Sequence, residues 1–80
     1  MIPLYGFLEG DTIGLLVLAE EDDSIAEVAR KLQAAARLRV AIDGPVTVME
    51  DGKAIDPTVT VAEAGLQPLA RIDVRRGPPS

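Results

Sequence analysis

Eighty residues, 48% of them hydrophobic, suffice for one small domain, and with a single Tyr and a single Phe its core must be aliphatic. No cysteine or histidine is present, which removes disulfides, thiolate and imidazole metal sites, the Cys nucleophile and the His general base together. A net charge of −5 argues against non-specific nucleic-acid binding, and no apolar run reaches the roughly 20 residues of a membrane span. Met1 leads at once into strand-like sequence without a basic n-region, so a cytoplasmic protein is expected.

Ile2 to Leu8 is short and apolar and reads as a strand. Glu9-Gly10-Asp11 is a turn, and Thr12 to Ala19 is a second apolar run of strand length, so the two form a β-hairpin. An acidic run, Glu20 to Asp23, then leads into the one long segment with helical periodicity, Asp23 to Arg39. Ile25, Val28, Ala29, Leu32 and Ala36 recur at three- and four-residue steps and make one apolar stripe. Ser24 and Glu27 have the spacing of a capping box, and Arg37 and Arg39 favour the helix end.

Asp43-Gly44-Pro45 breaks the chain. Val46 to Glu50 reads as a third strand, Asp51-Gly52 as a turn and Lys53 to Ile55 as a very short fourth strand. Thr60 to Glu63 repeats the capping-box spacing, but Gly65 allows only one helical turn. Leu69 to Arg75 alternates, with Ala70, Ile72 and Val74 on one side and Arg71, Asp73 and Arg75 on the other. Gly77 to Ser80 is a tail, which leaves residues 1–76 as one domain.

This order, β-β-α-β-β-(helical turn)-β, predicts an α+β β-grasp fold: a mixed four- to five-stranded sheet with one long helix on one face. The first and last strands are expected side by side and parallel at its centre. A split βαβ arrangement would need a second long helix, for which Thr60 to Ala64 is too short.

One helix covers one face of a sheet, so the other face should alternate to polar residues. The last strand does so through Arg71, Asp73 and Arg75, whereas the first hairpin does not. With Ile13, Leu15 and Val17 facing the helix, Gly14, Leu16 and Leu18 face outward. Two readings stand open for these outward leucines: a partner surface, or the scattered apolar residues of any surface. Leu16, Leu18, Arg71, Asp73 and Arg75 are the candidate interface.

Chemistry within the chain finds little support. The Glu20 to Asp23 carboxylates lack the spacing of an EF-hand loop, and a solvated loop before a helix N-terminus accounts for them. Gly10 and Gly14 fit neither G-x-G-x-x-G nor a P-loop. The hydroxyls have no His to activate them, and Lys31 lies seven residues past Ser24. Arg30, Lys31, Arg37 and Arg39 read as a solvated flank. No catalytic, cofactor-binding or metal-binding residue is expected, and an enzyme acting alone is not.

Two stretches resemble a known family. One is the helix start Asp23-Ser24-Ile25 through Val28-Ala29 and Lys31; the other is Thr60 to Pro68, TVAEAGLQP, followed by Ile72-Asp73-Val74. Together with length and element order they resemble the toluene-4-monooxygenase system protein B family, the gamma subunit of bacterial multicomponent di-iron monooxygenases. The first hairpin matches in pattern only, and Arg37 to Asp43 departs from the family's sequence. The resemblance implies a ubiquitin-like fold and a non-catalytic subunit seated on the alpha subunit of the hydroxylase, in company with the beta subunit. The di-iron centre that hydroxylates aromatic hydrocarbons belongs to that alpha subunit, so no cofactor is expected in this chain. A ubiquitin-like modifier or sulfur carrier is the rival reading, but its C-terminal Gly-Gly is replaced by Gly77-Pro78. A free-standing ubiquitin-like adaptor is the other.

Overall fold

A computed structural model describes residues 1–11, 13–37 and 44–78. Its elements are β1 (Ile2–Leu8), β2 (Leu15–Ala19), α1 (Ile25–Ala36), β3 (Val46–Glu50), β4 (Lys53–Ile55), α2 (Val61–Ala64) and β5 (Arg71–Arg76). The strands form one five-stranded sheet in the order β2-β1-β5-β3-β4. β1 and β5 are parallel, Tyr5 opposite Arg71 and Leu8 opposite Val74, and all other neighbours are antiparallel. This is the β-grasp topology, with the short α2 added to the one long helix.

The helix stripe behaves as its periodicity requires. Ile25, Val28, Ala29, Leu32 and Ala36 are all buried, against Leu4 and Leu8 of β1, Val17 and Ala19 of β2, Val48 of β3 and Ile72 and Val74 of β5. Val61 and Leu66 complete the core from the α2 region. Gly6 interrupts β1 because a Cβ there would stand 2.8 Å from both methyl carbons of Leu32. The missing side chain is what lets the helix approach the middle of the sheet.

The helix start differs from the expected reciprocal box. Ser24 Oγ accepts from the backbone N–H of Glu27 at 3.1 Å, but the Glu27 carboxylate pairs with Arg30. The first backbone donors find distant acceptors: Ile25 N–H donates to Val59 O at 2.9 Å and Ala26 N–H to Pro57 O at 3.1 Å. Residues 57–59 therefore supply acceptors for N–H groups of the first helical turn, which have none within the helix. The full box forms at α2, where Thr60 Oγ1 accepts from Glu63 N–H and Glu63 Oε1 accepts from Thr60 N–H. Arg37 is the C-cap of α1, no base lies in the last helical turn, and Arg39 lies outside the described residues.

β2 begins at Leu15 rather than at Thr12, which lies outside the described residues. Ile13, expected to face the helix, is 52% exposed because it precedes the strand and escapes its alternation. The β3–β4 turn matches its sequence: Asp51 and Gly52 both have positive φ (56° and 78°), as a two-residue hairpin turn demands.

Candidate functional site

The face of the sheet away from α1 is built by strand parity. Leu4, Gly6 and Leu8 are buried under the helix, so Pro3, Tyr5 and Phe7 point the other way. Cross-strand register adds Leu18 opposite Pro3 and Leu16 opposite Tyr5. β5 contributes Arg71, Asp73 and Arg75, and β3 contributes Met49 opposite Asp73 and Thr47 opposite Arg75. The structure thus brings all five candidate residues, Leu16, Leu18, Arg71, Asp73 and Arg75, onto one face.

Polarity divides this face. On β2 and β1, Leu16, Leu18 and Tyr5 are 56%, 50% and 46% exposed. Across β5 the surface is charged. Between them lies an ordered cluster that composition alone does not reveal. The Tyr5 and Phe7 rings are stacked with centroids 6.4 Å apart, and the Arg71 guanidinium carbon lies 4.1 Å above the centroid of Phe7. Arg71 Nη2 also donates to Asp73 Oδ1 at 3.1 Å, which fixes the guanidinium over the ring. Phe7 lies over Gly14, where a Cβ would meet the ring at 2.6 Å. Gly14 therefore faces outward as expected, roofed by an aromatic ring. Tyr5, Phe7, Pro3 and Met49 were absent from the candidate set; the period-2 alternation of β1, continued across the sheet from Leu16, was the signal for the first three.

At the rim beside β2, Lys31 departs from the solvated flank expected of it. Its Nζ donates to Asp23 Oδ2 at 2.6 Å and to Leu18 O at 3.2 Å. The Lys31 hydrogen bond, joined by the Glu20 N–H, holds the Asp23 carboxyl below its ordinary pKa; the same hydrogen bond raises that of Lys31. Asp56 is held low too, by hydrogen bonds from the N–H and hydroxyl of Thr58. None of these groups lies on the outer face. Among the described residues no group of three or more His, Cys, Asp or Glu is placed to hold a metal ion, and no helix is long and apolar enough to cross a membrane.

A concavity lies on the helix side, between α1 and β3–β4, lined by Ala26, Ala29, Arg30, Pro45, Val46 and Pro57 among others. It contains none of the five candidate residues.

The chain is similar to a protein in the structure described as "Toluene 4 monooxygenase HD Complex with Inhibitor 4-Bromobenzoate", at 30% identity and a TM-score of 0.84, over 91% of this chain and 94% of that one. It is also similar to a chain of "Molecular Mimicry of SUMO promotes DNA repair", at 13% identity and a TM-score of 0.80, over 94% and 90%. "Caldiarchaeum Subterraneum Ubiquitin" aligns at 14% identity and a TM-score of 0.77, over 99% and 98%. The last two share the ubiquitin-like fold with this chain. No curated protein matches the chain. A family model described as "Toluene-4-monooxygenase system protein B (TmoB)" matches residues 1–75. The chain belongs to the toluene-4-monooxygenase system protein B family.

Proposed function

We propose that this chain is a non-catalytic small subunit of an aromatic-hydrocarbon monooxygenase hydroxylase, docked on the large subunit through the outer face of its sheet. The subunit role and the hydroxylase partners rest on the family match over residues 1–75 and on the 30%-identical chain of a toluene 4 monooxygenase complex. The observation that carries the docking surface is the apolar strip of Leu16, Leu18 and Tyr5, exposed on a face that no element of the described chain covers. The stacked Tyr5–Phe7–Arg71 cluster beside it supports the same surface, since rigid aromatics and Arg lose little freedom on binding.

On this reading the domain over residues 1–76 contributes assembly, and the di-iron centre, with its redox chemistry, belongs to the large subunit. A chain without His offers that centre no imidazole ligand. The setting is cytoplasmic. Co-expression with the neighbouring genes tests the proposal: a tagged large subunit should retain this chain in fixed stoichiometry, together with iron. Retention of a complete, active hydroxylase from which this chain is missing would overturn it.

A further inference from the structure

β2 is an edge strand, and its ladder with β1 determines which of its backbone groups point outward. In β1, Leu69 N–H donates to Pro3 O at 2.6 Å and Tyr5 N–H to Ala70 O at 2.9 Å, so the odd-numbered residues spend their groups on the β5 side. The pairs with β2 are then Ile2 with Ala19, Leu4 with Val17 and Gly6 with Leu15. Leu16 and Leu18 consequently turn their N–H and C=O groups away from the sheet. Of these four groups, one is engaged among the described residues: Leu18 O accepts from Lys31 Nζ at 3.2 Å. Leu16 and Leu18 thus combine exposed apolar side chains with an open backbone edge.

We infer that β2 is the pairing edge for an extended segment of the hydroxylase large subunit, which adds to the sheet as a sixth strand. This rests on the docking role proposed above and specifies how the contact is made. The edge itself describes the segment. Its backbone bonds to Leu16 and Leu18, and its apolar side chains on the outer face lie beside theirs. Exposed Glu20, Glu21 and Asp22 follow directly on β2, so the end of the segment that reaches them is basic. Lys31 marks where the edge is closed in the unassembled chain, and the incoming strand takes over its contact with Leu18 O.

Amide hydrogen exchange on the isotopically labelled chain, alone and within the co-expressed hydroxylase, tests this directly. Leu16 and Leu18 amides should exchange rapidly in the isolated chain and slow by about a hundredfold or more in the complex. A backbone-specific variant supplies the second arm. In Leu16→Pro the lost N–H points outward, so the β1–β2 ladder is kept. Retention by the tagged large subunit should fall roughly tenfold below that of Leu16→Ala, which keeps the N–H. Unchanged exchange at Leu16 and Leu18 on assembly overturns strand addition, whatever the variants do. If Leu16→Glu still abolishes retention in that case, docking through the outer face stands and only the mode of contact fails. If Leu16→Glu is retained like the wild type, the docking surface itself is wrong. Protection that appears with the chain alone at high concentration assigns the edge to a second copy instead, and equally overturns the inference.

Discussion

The two faces of the sheet differ in who covers them. On the inner face, Leu4, Leu8, Val17, Ile72 and Val74 lie under a helix whose apolar stripe is buried in the same core. On the outer face β5 changes to Arg71, Asp73 and Arg75, as a solvated strand does, while β1 and β2 stay apolar with Pro3, Tyr5, Phe7, Leu16 and Leu18. A strand that is apolar on both sides is the pattern of a strand buried on both sides. Among the described residues α1 is the one long helix, and it lies on the inner face. On the docking proposed above, another molecule supplies the second cover for the hairpin, and the boundary between apolar and charged halves marks where that cover ends.

The contrast can be broken first at its strongest point. Val28→Asp places an unpaired carboxylate in the fully buried helix stripe, and should cost more than about 4 kcal/mol, enough to abolish cooperative melting. Circular dichroism would show it; a normal melt would mean that the stripe is not the core. Leu32→Ala should cost about 2–5 kcal/mol, whereas Leu18→Ala on the outer face should stay within about 0.5 kcal/mol. At roughly 4–8 °C per kcal/mol for a domain of this size, one melting experiment separates the two. Equal shifts would mean that the outer leucines are also core.

The smallest effect is a pH limb. The Asp23 carboxyl is held below its ordinary value of 3.8, so its contribution is complete above that value and is lost as pH falls through the lower, folded one. Lys31 is raised above 10.5, so its share is complete below that value and lost only in strong alkali. Asp23→Asn should therefore flatten the part of the stability profile below pH 3.8 that belongs to this pair, and leave the neutral plateau level. An acid limb unchanged in a denaturant titration series would show that the Lys31 contact is not held in solution. Because the pair is solvent-accessible, the change is small.

Most of this architecture was legible because it depends on local rules. The helix stripe, the Asp51-Gly52 turn, the Thr60–Glu63 box with its Gly65 stop, and the alternation of β5 each need only a few neighbouring residues to be read. What escaped depends on distance in the chain. The Glu27 carboxylate pairs with Arg30, and the acceptors for the first-turn N–H groups of Ile25 and Ala26 come from Val59 and Pro57, some thirty residues away. Ile13 misled because alternation was extended past the true start of β2. Leu69 adopts a left-handed φ of 65°, a conformation nothing in its side chain announces, where its N–H meets Pro3 O. The outer face was legible in part: Leu16 and Leu18 stood out by parity, while the Tyr5–Phe7–Arg71 cluster required the parallel register of β1 with β5.

The central claim is that the outer face of the hairpin serves assembly and not folding. Leu16→Glu tests it most directly when two readings are taken on the same variant: its thermal melt as an isolated chain, and its retention by the tagged large subunit in competition with wild type. A melting temperature within a few degrees of wild type, with retention lost, is the predicted pair of results. A variant that unfolds, or one that is retained as well as wild type, contradicts the account.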